Sequence, residues 1–312
     1  MGLSVLLVET PGPLTTVQDL GRPGHRAYGV PPSGALDRFA LSAANRLVGN
    51  QPGAPGLECV AAGPALRALR PCLLAVTGAD FGATVNDEPA PDWTAIHLSE
   101  GDQLRFTGRR AGGRCYIALA GGIAADRWLG SAATYLLIAR GGLQGRPLRA
   151  GDRLELSAEP PRPLVAGRHL PASRRPAYDA EVELLAMPGP HHSRLDRASR
   201  SLFWKQPFVV SQESDRMGFR LEGAELRLKG RDLLSLALTF GAVQVPPSGN
   251  PILLMADHQT AGGYPVVAGV ARASLPLAAQ LLPGDRLGFR QSTPAVALAA
   301  WRSLNEALES ID

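Results

Sequence analysis

Apolar residues in this chain come in short runs, each closed off by glycine, proline or a charged residue. Such punctuation suits short strands joined by tight turns better than long helices. It predicts strands at Ser4–Glu9, Leu73–Thr77, Ala95–Leu98, Gln103–Thr107, Arg114–Ala120, Arg153–Ser157 and Glu181–Met187. Further strands are predicted at Phe208–Val210, Ile252–Ala256, Val266–Val270 and Arg286–Arg290. Helical spacing appears in three places. Ala35–Leu47 puts Leu36, Phe39, Ala40, Ala43 and Leu47 on one face and stops before Gly49. Leu275–Leu282 is a shorter case, and Thr293-Pro294 opens a C-terminal helix over Pro294–Leu308. The expected fold class is mainly β (α+β), with few short helices.

The stretch Glu159–Pro176 holds five prolines and little apolar periodicity, the composition of a linker. It divides the chain into a first module over 1–160, a Pro/Arg-rich linker over 161–177, and a second module over 178–312 with the C-terminal helix. The halves echo each other: Pro-Pro-Ser-Gly stands at Pro31–Gly34 and at Pro246–Gly249. Gly-Asp-x-Leu-x-apolar stands at Gly101–Phe106, Gly151–Leu156 and Gly284–Phe289. Two related β-barrel-like modules account for both repeats. Because one Pro-Pro-Ser-Gly is early and the other late, segments are free to cross between modules.

Composition excludes several classes. The net charge is +4, and Lys205 and Lys229 are the only lysines among 32 basic residues. The arginines are scattered, not laid out as the basic stripe with interleaved aromatics of a nucleic-acid binder. No window approaches the roughly 18 uncharged apolar residues of a membrane helix. The N-terminus reads as a first strand, with no basic region or cleavage site of a signal peptide. Cys59, Cys72 and Cys115 are odd in number and form no CxxC, which argues against a disulfide framework and a zinc site. Adjacent His191-His192 would point to opposite faces of a strand, so no metal is expected. A cytoplasmic protein is the expectation.

The chemistry concentrates in Gln244–Pro265, QVPPSGNPILLMADHQTAGGYP. An apolar strand there runs into Asp257, His258, Gln259 and Thr260, then Gly262, Gly263 and Tyr264. An anion, an amide and two hydroxyls can orient a small polar substrate, and the glycines allow it close. The structural alternative is a tight turn whose polar groups serve their own backbone. A second cluster lies in Thr15–Asn50. Gln18, Asp19, Arg22 and His25 sit in a Gly/Pro-rich loop, Ser33 offers an N-cap, and Asp37 a first-turn charge. A third is Ser211–Leu221, where Asp215 precedes Arg216, and Arg216 and Arg220 could grip a carboxylate or phosphate. Its alternative is a surface pair between Asp215 and arginine. No G-x-S-x-G elbow, phosphate loop or Met-Lys-Met biotin lysine is present.

Taken together, TTVQDLGRPG, GVPPSGALD, ANRLVGN, GSAAT, SDRMGFRL, QVPPSGNPI and DHQTAGGYP resemble, in order, the family of the C component of 5-oxoprolinase. That family is also called allophanate hydrolase subunit 2, or the biotin-dependent carboxyltransferase family, and resembles part of the urea carboxylase carboxyltransferase region. Ala261 departs from it, standing where the family more often has threonine. The resemblance implies two cyclophilin-like β-barrel modules. It implies partner subunits A and B and an ATP-dependent opening of 5-oxo-L-proline, a small lactam, to L-glutamate, with this chain inactive alone. ATP would be shared with the complex. By resemblance Asp257, Gln259, Thr260 and Arg216 are catalytic, and Gly262, Gly263, Tyr264, Asp215, Gln18, Asp19 and Arg22 bind substrate. The alternatives are carboxyl transfer to urea or a related amide from biotin on a separate carrier protein, and a non-enzymatic regulator.

Overall fold

The computed structural model describes residues 4–160, 163–230 and 233–311. Its contacts divide the chain into two compact units. Unit 1 takes the residues up to Arg22, Ser33–Tyr178, and those from Asn305 on. Unit 2 takes Pro23–Pro32 and Asp179–Leu304. The fold is mainly β, with a closed barrel and few short helices.

In unit 1 the chain forms β1 (Ser4–Thr10), β2 (Leu14–Gln18), helix α1 (Arg38–Leu47), β3 (Gly56–Val60), β4 (Ala65–Ala68) and β5 (Cys72–Asp80). It continues with β6 (Ala83–Val85), β7 (Glu88–Pro89), β8 (Thr94–Leu98), β9 (Gln103–Phe106), β10 (Ala111–Leu119) and β11 (Arg153–Glu155). These make two sheets, in the orders β11-β1-β4-β9-β6-β7 and β2-β3-β10-β5-β8. One core lies under both, with Leu6, Val8, Leu57, Leu74, Ile117 and Leu154 in it. β5 and β10 are buried along nearly their whole length and pack against α1. A strand covered on both faces reads as a continuous apolar run instead of alternating. This is why Cys72–Val76 and Tyr116–Ala120 carry no charged residue. Cys59 and Cys115 are cross-strand neighbours, and all three cysteines are free and buried.

α1 starts later than its periodicity predicts, and its cap is Asp37, not Ser33. The Asp37 carboxylate accepts from Ala40 N at 2.9 Å. Ser33 instead sits at φ 53°, buried, inside a turn. Asp37 also lies within a buried network. Tyr178 donates to its other oxygen at 2.7 Å, and its own N–H donates to the Tyr116 hydroxyl at 2.8 Å. Tyr116 in turn donates to Glu58 at 2.8 Å. Of the Pro/Arg-rich stretch 161–177, residues 161 and 162 lie outside the described residues. The later part packs along β8: Ala95 N donates to Arg168 O at 2.8 Å, and Leu170 is fully buried.

Unit 2 contains β12 (Glu181–Pro188), helix α2 (Arg197–Lys205), β13 (Phe208–Val210), β14 (Gly218–Glu222), β15 (Leu236–Ala237) and β16 (Ala242–Gln244). After these come β17 (Ile252–Leu254), β18 (Ala261–Gly262), β19 (Val266–Val270), helix α3 (Leu275–Ala279) and β20 (Arg286–Gln291). A C-terminal helix, α4, spans Pro294–Glu309. The barrel closes in the order β12-β19-β16-β17-β14-β13-β20, with β20 returning to β12 as a parallel pair. Along β12, Val182, Leu184 and Ala186 are buried and alternate with less buried neighbours, the period of a strand with one face in a core. Phe203 of α2 stacks on Phe289 of β20 at 4.6 Å and 14°, with Phe208 of β13 at 6.4 Å. The outlying pair β15–β18 is antiparallel and stands apart from the barrel ladder.

Candidate functional site

The register of β14 against β17 builds the centre of the site. Gly218 faces Leu254 and Arg220 faces Ile252 in an antiparallel pair. The residues just before β14 therefore run beside those just after β17, and the ladder carries on past both strands. Met255 N donates to Met217 O at 3.0 Å, and Asp257 N to Arg216 O at 2.9 Å. That brings the Arg216 and Asp257 side chains together. Nε meets Oδ2 at 2.8 Å and a terminal nitrogen meets Oδ1 at 3.5 Å, with side-chain exposures of 11% and 7%. Arg216 thus pairs with a residue 41 positions away, neither with Asp215 nor in a two-arginine clamp with Arg220. Arg220 lies on the surface against Glu213 at 3.5 Å. Asp215 forms the turn into β14, its Oδ1 accepting from Met217 N and Gly218 N at 2.8 and 3.2 Å.

His258 follows at once and is fully buried. Its Nδ1 lies 2.6 Å from Gln259 O. A carbonyl can only accept, so Nδ1 carries the proton and Nε2 is left as an acceptor in the neutral ring. Among the described residues Nε2 has no hydrogen-bond partner. Burial, and secondarily the Arg26 charge, hold this imidazole below its ordinary range against the opposing pull of the Gln259 carbonyl and Asp257. Arg26 is anchored by donating to Leu238 O at 2.9 Å.

Gln259 is exposed overall, yet its amide donates to Gln244 Oε1 at 3.1 Å. Gln244, fully buried on β16, donates on to Tyr264 O at 3.2 Å. Thr260 O accepts from Leu238 N at 2.9 Å, which leads Ala261 and Gly262 into pairing with β15. Gly263 and Tyr264 then reach a groove of about 730 Å³ whose other walls are the Pro246–Gly249 turn and the segment from Glu225 to Gly230. Arg216, Asp257, Gln259 and Thr260 are not among its lining residues. The site therefore has two parts in unit 2: a nearly buried ion pair, and a groove reached through the Gln259–Gln244–Tyr264 chain.

Gln18, Asp19 and Arg22 belong to unit 1, and all are buried. Each grips the backbone of the Ser131–Thr134 loop. Gln18 donates to Thr134 O at 3.2 Å, and Asp19 accepts from Ser131 Oγ at 2.6 Å and Ala132 N at 2.7 Å. Arg22 donates to Ala133 O and lies 5.0 Å over the Trp128 ring. Asn45 and Asn50 act alike on Ala54 O and Leu119 O, both at 2.8 Å.

Gln244 and the basic wall of the groove were not among the expected site residues, and His258 stood in the expected cluster without a role. Gln244 had a signal: it is the one polar side chain in the run Ala242–Val245, every residue of which is buried. The wall residues Arg227 and Lys229 had none beyond their charge.

With this geometry in view, comparison with known proteins is specific. The sequence model described as the carboxyltransferase domain, subdomain A and B, matches residues 28–291. The chain is 37% identical to the C component of 5-oxoprolinase from Escherichia coli over 98% of its own length and 97% of the relative's. It is 31% identical to urea amidolyase of Lachancea kluyveri over 98% of this chain but 18% of that one. The crystal structure of the K. lactis urea amidolyase superimposes with a TM-score of 0.93 at 29% identity, covering all of this chain and a fifth of that one (20%).

Proposed function

Since the chain belongs to the family of carboxyltransferase domains with subdomains A and B, we propose that it is a subunit of an ATP-dependent 5-oxoprolinase. It opens 5-oxo-L-proline to L-glutamate together with subunits A and B. The observation that carries this reading is the end-to-end likeness to the C component of 5-oxoprolinase, in which each chain is covered almost completely.

A lactam carbonyl is a poor electrophile, and ATP would supply a leaving group on its oxygen. This chain's own part is binding, orientation and proton handling. Arg216 holds Asp257 by both carboxylate oxygens, which fixes the anion's direction and leaves further lone pairs on those oxygens. Those lone pairs can accept the lactam N–H. Gln259, held through Gln244, and Thr260 orient the ring, and Gly263 and Tyr264 lie at the groove where the rest of the substrate is received. The pair acts as a unit: Arg216 positions, Asp257 contacts.

The test is 5-oxoproline-dependent ATP hydrolysis by the complex reconstituted from all three components, omitting each in turn. Turnover is expected to vanish without this chain, and Asp257→Asn is expected to lower it by about a hundredfold or more. Near-normal turnover in that variant would remove Asp257 from the reaction.

Carboxyl transfer is the second reading. The family description and the fit to urea amidolyase over the whole chain favour it. The same pair would then meet urea or a related amide, with CO₂ delivered by biotin on a separate carrier protein. A verified complex that ignores 5-oxoproline but carboxylates an amide when given that carrier would establish it.

A further inference from the structure

The groove beside Tyr264 has a chemistry of its own. Leu228 bridges Leu195, Lys229 N donates to Arg194 O at 2.8 Å, and Asp196 N donates to Arg227 O at 3.1 Å. The stretch around Leu228 is therefore extended and anchored by its backbone. Arg227 and Lys229, two residues apart on it, send their side chains to one side. Both line the groove together with Arg194, whose guanidinium packs near Gly230. Among the described residues of the lining, Glu225 is the one carboxylate beside Arg227 and Lys229. Neither Arg227 nor Lys229 makes an ion pair within 4.0 Å among the described residues, although Asp196, the cap of α2, lies near enough to feel both charges. Asp196 spends its carboxylate on Ser199 N at 2.7 Å. The same lining includes Ser248 and Tyr264, the latter 46% exposed. The volume of about 730 Å³ is that of a small-molecule site.

We propose that this groove is an oxyanion-binding site, in which Arg227 and Lys229 hold a carboxylate or phosphate while Tyr264 covers the flat body of the same ligand. The planar fork of a guanidinium matches the geometry of an oxyanion, and charge-assisted bonds to an oxyanion are among the stronger polar contacts. The assignment deepens the oxoprolinase reading and rests on it for the identity of the ligand. The substrate's carboxylate and the nucleotide's phosphates are the two sources.

The experiment is titration calorimetry of the full chain, alone and in the reconstituted complex, at low and moderate salt. The probes are 5-oxoproline, 2-pyrrolidone (the same ring without the carboxylate), inorganic pyrophosphate and ATP. At least one oxyanion is expected to bind, more weakly as salt rises. Arg227→Gln with Lys229→Gln is expected to weaken it by about tenfold or more. Arg220→Gln, a surface arginine outside this groove, is the control and is expected to change little. Binding of 5-oxoproline but not 2-pyrrolidone assigns the substrate carboxylate; binding of pyrophosphate and ATP alone assigns the nucleotide. No oxyanion binding in the complex, or a double variant that binds like the parent, overturns the site. An oxyanion bound normally by a complex that shows no 5-oxoproline-dependent turnover keeps the site and removes the oxoprolinase reading.

Discussion

The tetrapeptide Pro-Pro-Ser-Gly ends twice in a left-handed glycine, and the two Ser-Gly pairs are put to opposite uses. In unit 1, Ser33 and Gly34 have φ of 53° and 86° and are buried. A Cβ on Gly34 would stand 2.6 Å from Gly21 N and 2.9 Å from Asp19 O, and Ala35 N donates to Asp19 O at 2.8 Å. The Ser33 hydroxyl has no hydrogen-bond partner among the described residues. In unit 2, Gly249 has φ 83°, but Ser248 is exposed and the turn forms a wall of the groove. One turn locks backbone to backbone; the other lines a groove that Arg227 and Lys229 also line. Turn chemistry is written in the four residues. What the turn is for depends on what covers it.

One methyl group added to each turn should separate the two uses most strongly. Gly34→Ala must tolerate a left-handed backbone and a Cβ at 2.6 Å from main-chain atoms that cannot step aside, and is expected to cost about 3 kcal/mol or more in urea unfolding. Gly249→Ala pays the same backbone strain, with its nearest contact, Leu226, at 3.1 Å. About 1–2 kcal/mol is expected there. Equal losses would mean that the two turns are equivalent after all.

Next in size is Asp19. Its carboxylate accepts from Gly21 N, Ser131 Oγ and Ala132 N at 2.7, 2.6 and 2.7 Å. Asp19→Ala would leave buried donors unsatisfied, and a stability loss of about 2–3 kcal/mol is expected. Residual folded enzyme should keep its affinity for 5-oxoproline, because the carboxylate serves a loop. A variant that unfolds like the parent but binds substrate poorly would return Asp19 to the binding residues.

Much of the strand pattern was legible because burial on one or both faces leaves a periodicity: every strand predicted from the apolar runs is present, with ends shifted by a few residues. α2 was missed because only Ser199 and Phe203 of its nine residues are buried, too thin a stripe to read. Asp196 was its visible signal, a cap whose carboxylate meets Ser199 N. The site was legible as residue types but not as partners. Arg216 and Asp257 meet only because β14 and β17 take one particular register, and nothing local in either segment specifies it. The same blindness made Asp215 look like a natural mate for its neighbouring arginine, when two backbone N–H groups claim it.

The titratable groups extend the contrast between the units. Unit 1 buries acids that must stay neutral. Burial pushes the Tyr116 and Tyr178 phenols well above their ordinary 10.0, with Glu58 and Asp37 adding for Tyr116 and Asp37 for Tyr178. It also pushes Cys72 to about 12, with a smaller push from Asp102. Unit 2 wholly or partly buries bases that must stay neutral: desolvation lowers His191, His192 and His258 from 6.5. A base whose folded value is depressed binds its proton first in the unfolded chain. Its contribution is whole above pH 6.5 and lost as the pH falls from there toward the lower folded values. For an acid whose folded value is raised, loss begins as the pH climbs past its unfolded value, 9.0 for cysteine and 10.0 for tyrosine. Localised hydrogen exchange should therefore show unit 2 opening first below about pH 6.5 and unit 1 first above about pH 10. The reverse order would refute the assignment of these groups.

The smallest effect comes from two buried glutamines, each with two side-chain bonds of similar length. Gln18 donates to Thr16 Oγ1 at 3.1 Å and Thr134 O at 3.2 Å; Gln244 accepts from Gln259 at 3.1 Å and donates to Tyr264 O at 3.2 Å. Methionine at either position fills similar space without the amide, so each change is expected to cost about 1 kcal/mol of stability. The readouts should part at the substrate. Gln244→Met frees Gln259 and the Tyr264 backbone at the groove, and KM for 5-oxoproline is expected to rise by about two- to tenfold, with kcat changing less. Gln18→Met should leave KM where it was, since the bonds it removes belong to a loop of unit 1. If both methionine variants shift KM alike, burial has not separated scaffold from site, and the division drawn between the two turns fails with it.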